Sequence, residues 1–197
     1  MARLTQKAIW QAFQAMLEEM PFDKITVSAL VKRAGVSPNT FYYHYQDIYD
    51  LLRVWFHTIL NQQVDIHAPD FHWQSATKTL LHICQAHPKI VYHIFDSLSR
   101  NQLERYVFSL TDDVFYQQVC RQTQGSGLTQ SQLKEVAQFC RYAFVGFLLQ
   151  FVWNRMEADV DESVDRLGTL FTHFVDSAAL WLGGAGQADL RNQGNLS

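Results

Sequence analysis

The sequence predicts an all-α protein of about nine helices, a three-helix amino-terminal helix-turn-helix unit followed by a larger helical domain. Three observations predict it. Apolar residues recur at three- and four-residue steps through most of the chain, while strand-like alternation is scarce. Two short helical patterns meet at a glycine near position 35. Proline and glycine breaks further on separate longer helical patterns. With 197 residues, 48% of them hydrophobic and 18% charged, the chain is long and apolar enough to bury a core. That composition excludes a disordered chain, a collagen and a disulfide scaffold.

The first helix carries Ile9, Ala12, Phe13, Met16, Leu17 and Met20 on one face and ends at Pro21 and Phe22. Thr26 is placed to cap a second, short helix with Val27, Leu30, Val31 and Ala34 on one side. Gly35 breaks that pattern, because glycine enters the left-handed conformation of a tight turn at little cost. Ser37-Pro38 reads as an N-cap followed by proline at the first helical position, so a third helix runs through Phe41 to about His44. Asp47 suits the cap of a long fourth helix with Leu51, Leu52, Trp55, Ile59 and Leu60. After a break at Ala68-Pro69-Asp70, helices are expected near 71–86, 88–99 and 101–121, then at about 129–156 and 161–182 beyond the loop Gln124-Gly125-Ser126-Gly127. The expected domains are 1–47, with the motif at 26–45, then 48–183, then a flexible tail over 184–197 that lacks a periodic apolar face.

Cys84, Cys120 and Cys140 lie far apart with no CxxC pair, which fits a reduced, cytoplasmic protein. The amphipathic amino end lacks the apolar core and small-residue site of a secretory signal. The longest uncharged stretch near the carboxyl end, Tyr142 to Asn154, has 13 residues, short of the roughly 20 that a bilayer span needs, so no membrane partner is expected. Residues 1–47 hold five Lys/Arg and four acids, whereas the remainder holds eleven and fifteen. The net charge of −3 is not that of a nonspecific nucleic-acid binder, so any DNA contact is confined to the amino-terminal part.

The residue types from Thr26 to Tyr45 suit that contact. A short helix, a glycine turn and a second short helix follow the order of a helix-turn-helix, whose second helix enters the major groove. Amides at the starts of both helices can receive phosphate oxygens. Asn39, Thr40, Tyr42, Tyr43 and His44 place hydrogen-bonding groups on the outward side of the third helix, while Phe41 and Val36 hold it against the first. Aromatic residues with few cations imply positioning by neutral hydrogen bonds more than by charge. The same run is also compatible with a packed aromatic corner in an ordinary helical protein.

The run FDKITVSALVKRAGVSPNTFYYHYQDIYDLL, Phe22 to Leu52, resembles the amino-terminal domain of the TetR family of transcriptional regulators. The matching elements are Thr26-Val27, Ala34-Gly35-Val36-Ser37, Thr40-Phe41-Tyr42-Tyr43-His44-Tyr45 and Asp50-Leu51-Leu52. Trp73-Gln74 and Phe139-Cys140-Arg141-Tyr142 are similar to the branch that includes regulators of dihydroxyacetone kinase genes. The resemblance implies that Thr26 contacts phosphate, that Pro38, Asn39, Thr40 and Tyr42 face bases or adjacent phosphates, and that Tyr43 and His44 lie on the backbone. Ser37, which caps the reading helix, belongs to the same DNA-binding set. Ile48 stands where many members have lysine, and Val31 where a small alanine is common. One phosphate contact is therefore expected to be missing, with a shallower salt dependence, since each neutralised phosphate contributes about −0.9 to the slope.

In the larger domain, the helix at 129–156 is apolar nearly all round, so more than one face must be covered. With the stripe Leu167, Leu170, Phe171, Phe174, Ala178 and Trp181 it suits a two-fold four-helix interface carried by Phe144, Phe147, Phe151, Leu170, Phe171 and Phe174. Gly146 and Gly168 would permit close approach. An ordinary monomeric core is the alternative. Trp55, Trp73, Tyr92, Phe95, Phe108, Phe115 and Tyr142 are candidate walls of a ligand cavity, though each taken singly reads first as plain core. Arg141 interrupts an apolar helix and needs a partner if buried: an anionic ligand, an acid across a dimer, or water. His82, Cys84, His87 and His93 show no metal or nucleophile spacing, and no HExxH, P-loop or dinucleotide pattern occurs. No catalytic residue, metal or cofactor is expected.

The expectation is thus a homodimeric regulator that binds a palindromic DNA operator and answers to an unidentified small-molecule effector. The resemblance implies repression with release by ligand as the usual mode. Activation through a partner protein, and a helical interaction module that does not bind DNA, are the competing readings.

Overall fold

The computed structural model describes residues 2–63 and 71–193, and the Ala68-Pro69-Asp70 break and the side chain of Leu60 lie outside what is described. Among the described residues are nine α-helices and one 3-10 turn: α1 (Ala2–Glu19), the turn Phe22–Lys24, α2 (Val27–Ala34), α3 (Pro38–His44), α4 (Ile48–Gln63), α5 (Trp73–Ala86), α6 (Pro88–Phe95), α7 (Arg100–Gln122), α8 (Gln130–Trp153) and α9 (Val160–Gln193). The chain divides into two compact units, Met1–Phe71 with Thr79–Tyr106, and His72–Lys78 with Val107–Ser197.

In the first unit the stripe expected on α1 is the core: Ile9, Phe13 and Leu17 are fully buried, and Ala12 and Met16 nearly so. Phe13 meets Phe22 and Trp55 edge-on, at 6.2 and 5.6 Å between ring centroids. Such contacts add roughly 0.5–1.5 kcal/mol each beyond the area they bury. This core does not stop at residue 47. Leu51, Leu52 and Trp55 of α4 and Ile90 of α6 are part of it. Its polar ties run the same way, with the His93 ring bonded to the carbonyl of Leu17 at 2.6 Å.

The local signals act as the sequence predicts. Thr26 Oγ1 accepts from the Ala29 amide, Ser37 Oγ from the Thr40 amide, and Asp47 Oδ1 from the amides of Tyr49 and Asp50. Gly35 takes the left-handed conformation (φ 66°, ψ 32°), and the Val36 amide donates to Val31 O across the turn.

In the second unit, Trp73, Phe115, Phe144 and Phe171 form the centre, with ring centroids 5.0–5.8 Å apart. By length and composition α8 could cross a bilayer, but seven of its residues are buried inside this unit, as in a core helix. Thr129 and Gln132 form a capping box at its start. It ends at Trp153, earlier than expected, because Arg155 and Met156 turn left-handed (φ 62° and 57°) and the Met156 amide closes onto Phe151 O. That closure buries the Met156 side chain. At the carboxyl end α9 runs to Gln193, past the expected limit of about 182. Glycine costs a helix only about 1 kcal/mol, and the sequence from 183 to 193 holds no proline to stop it.

Candidate nucleic-acid interface

The turn at Gly35 and the caps at Thr26 and Ser37 define a helix-turn-helix in the first unit, with Leu30, Val31 and Phe41 buried beneath it. The outward side of α3 carries Pro38, Asn39, Tyr42 and Tyr43, with Ser37 at its head. Tyr42 is 58% exposed and Tyr43 82%, large values for aromatic side chains that have not been drawn into the core. Thr40 and His44 are turned partly inward. The Thr40 hydroxyl shares a 2.8 Å hydrogen bond with Ser37, and the His44 ring lies edge-on to Tyr43 at 5.0 Å. Thr26 is exposed at the start of α2, its hydroxyl oxygen already accepting the cap bond.

Three cations of this unit are engaged by carboxylates. Arg33 forms a bidentate pair with Glu19 at 2.5 and 2.7 Å, Arg53 meets Asp50 at 2.6 Å, and Lys24 meets Asp23 at 3.1 Å. The hydrogen bond from Arg33 lowers the Glu19 carboxyl below its ordinary value. For Asp50, burial raises the value, but the bonds from Arg53 and the Gln46 amide outweigh it. Ile48 is half-buried and packs against the core.

Trp10, Gln6 and Tyr45 form a further polar contact between α1 and the end of α3, one that the residue pattern does not assign. The indole Nε1 of Trp10 donates to the Tyr45 hydroxyl at 2.8 Å, and Gln6 also hydrogen-bonds to that hydroxyl. Tyr45 follows Phe41 by four residues and Trp10 follows Gln6 by four, which groups each pair locally without pairing the two segments.

The expected ligand set does not come together in one unit. Trp55, Tyr92 and Phe95 belong to the first unit, and Phe108, Arg141 and Tyr142 to the second. Trp55 is core, stacked edge-on against Phe13. Tyr92 and Phe95 are half-buried on α6. Arg141 has partners inside its own unit: a terminal guanidinium nitrogen donates to Phe108 O at 2.5 Å, Nε donates to Thr111 Oγ1 at 3.2 Å, and the group lies 4.8 Å over the Phe108 ring. Tyr142 meets Phe108 edge-on but is 55% exposed.

The expected dimer residues divide by burial. Phe144, Phe151 and Phe171 point into the second unit's core. Leu170 is 60% exposed, and Phe174 stacks on the exposed Phe139 with centroids 4.5 Å apart. Phe147 is half-buried. Helical phase decides this: the residues of α8 and α9 that face the core leave a second apolar stripe outside. Gly168 permits close approach within the chain, since a Cβ there would stand 2.9 Å from the Gln74 side chain. Among the described residues no group of His, Cys, Asp and Glu is placed to hold a metal ion.

Comparisons with known proteins bear on both units. Residues 11–54 match the family described as "Bacterial regulatory proteins, tetR family", and residues 72–173, just over half the chain, match "Transcriptional regulator C-terminal region". No curated protein sequence matches. Among solved structures, the chain is similar to "Dihydroxyacetone kinase operon activator DhaS", at 18% identity and a TM-score of 0.55, covering 90% of this chain and 96% of that one. A second is native NalD, described as "the secondary repressor of MexAB-OprM multidrug efflux pump in Pseudomonas aeruginosa", at 16% identity and a TM-score of 0.48, covering 88% and 98%. At 18% identity the first likeness shows a shared fold. With the helix-turn-helix geometry and both family matches in hand, the chain belongs to the TetR family of DNA-binding transcriptional regulators.

Proposed function

We propose that this regulator is a cytoplasmic homodimeric repressor whose two helix-turn-helix units grip a palindromic operator and release it when a small apolar or aromatic molecule binds the larger domain. Support comes chiefly from the uncovered apolar stripe on α8 and α9. Phe139, Tyr142, Leu170 and Trp181 are each more than half exposed, a cost that a second copy of the same stripe would remove. Within Val136–Asn154 the only formal charge is Arg141, and it is turned onto Phe108 and Thr111 of its own unit, so the α8 part of the stripe brings no outward charge. A two-fold dimer sets its reading helices about 34–36 Å apart, one turn of duplex. On the reading helix, Pro38, Asn39, Thr40 and Tyr42 are the residues proposed to face bases or adjacent phosphates, with Tyr43 and His44 on the DNA backbone and Thr26 and Ser37 at the helix starts beside phosphate. Any effector acts by linkage, changing operator affinity by the same factor by which the operator changes effector affinity.

The test is sedimentation of the full chain, free and with a duplex selected from a random pool. The expected result is a dimer that carries one duplex, with Leu170→Glu driving it to monomer and weakening duplex binding. A wild-type protein that is monomeric at micromolar concentration and selects no sequence would overturn the reading.

A second reading, activation through a partner protein, is favoured by one observation in the second unit. Two donors of Arg141 are engaged internally and four aromatic rings fill the centre, which leaves the domain's polar anchor already occupied. One structural neighbour is named as an operon activator. Co-elution with a second protein, and no melting shift with small molecules, would favour activation over ligand release.

A further inference from the structure

Seven residues make α3 about two turns long, too short to hold its own orientation. It packs chiefly against α2, whereas α1 packs chiefly against α2 and α6. The Trp10–Tyr45 hydrogen bond is a direct tie between α1 and the end of the reading helix, joining residues 35 apart in sequence. Tyr45 is 2% exposed and sits immediately after α3 in extended conformation, its amide donating to Phe41 O at 2.9 Å. Its ring lies 5.4 Å from that of Phe41, and Phe41 meets Tyr42 edge-on at 5.4 Å. A continuous aromatic chain therefore runs from the α1 indole, through two buried rings, to a ring on the exposed reading face.

We infer that Trp10 and Tyr45 form a positioning pair that fixes the axial rotation of α3, and thereby sets how well the regulator discriminates its operator from other DNA without touching DNA itself. Apolar packing alone is tolerant of small rotations, because burial is non-directional. A hydrogen bond is not, since it weakens steeply as its angle departs from linearity. A phenylalanine at position 45 would fill the same space and keep the ring contact with Phe41, while losing the directional element. Rotation of a two-turn helix matters most where groups must meet base edges, and least where phosphates are met by charge. The inference rests on α3 being the reading helix.

The experiment uses the full chain with two duplexes: the best binder that the wild-type protein selects from a random pool, and a scramble of equal length and composition. Tyr45→Phe, Trp10→Phe and the double variant are compared by the ratio of their dissociation constants for the two. The ratio is unaffected by any loss of folded fraction, because that loss weakens both constants equally. The expected result is a ratio reduced about tenfold, the scale of one lost base-edge contact, with the salt slope unchanged. The double variant should lose no more than Tyr45→Phe, because removing that hydroxyl already removes the bond from Trp10. If Tyr45→Phe does not fold, Trp10→Phe alone carries the test, since Trp10 is only half-buried. A wild-type ratio retained in Trp10→Phe overturns the inference and leaves the DNA-reading role of α3 intact. If the wild-type protein selects nothing, that role falls and the positioning pair with it.

Discussion

Replacing Gly35 with alanine isolates the turn that joins α2 to α3. The backbone there is left-handed (φ 66°), and an added Cβ would meet nothing within 4 Å. Any cost is therefore conformational and not steric crowding. A non-glycine residue in this region costs roughly 1–2 kcal/mol. The stiffer unfolded chain of the alanine variant returns about 0.4–1 kcal/mol. The net loss is about 1 kcal/mol, which for a chain of this size lowers the melting temperature by roughly 2–4 °C. Gly35→Asn should lose less, because asparagine tolerates the left-handed region. The assay is thermal unfolding followed by far-ultraviolet circular dichroism at one fixed protein concentration, since association shifts apparent stability. An alanine variant that melts at or above the wild type would refute the reasoning. So would a loss for asparagine equal to or larger than that for alanine, which would mean that tolerance of the left-handed region does not set the cost.

Acid should weaken the first unit through Glu19 and Asp50. Both carboxyls are held below their ordinary values of 4.5 and 3.8, so the stabilisation is present above those values and is lost as pH falls through the folded ones. Melting temperature followed into the acid range should fall less steeply in Glu19→Gln and Asp50→Asn, and parallel curves would contradict this. Arg141→Ala should cost about 1–2 kcal/mol, because it strips the donors from Phe108 O and Thr111, and a melting point equal to wild type would show those bonds to be idle. Cys140 is 1% exposed and burial pushes its thiol up to about 11, so alkylation of the native protein near neutral pH should leave it unmodified by mass spectrometry. Rapid labelling would mean that the second unit opens readily.

The parts that one chain segment can determine are legible in the amino-acid sequence alone. Thr26, Gly35, Ser37 and Asp47 specify caps and a turn through bonds that span two to five positions, so residue type and spacing suffice. The stripe on α1 is legible for the same reason, because 3.6-residue periodicity already says which side is buried. The exposed face of α3 is legible as the side opposite Phe41.

What the sequence leaves open depends on partners distant along the chain. Nothing near Trp10 announces that its indole will find Tyr45, 35 residues on, or that Leu51, Trp55 and Ile90 will complete the core begun by α1. Arg141 reads as a candidate ligand contact because its partners, Phe108 O and Thr111, lie 33 and 30 residues away on another helix. In α8 and α9, both sides are apolar, so periodicity cannot separate the stripe that enters the core from the one left outside. Packing decides that Phe144 and Phe171 go inward and that Phe139 and Leu170 stay exposed, since only the facing helices fix which apolar side is covered.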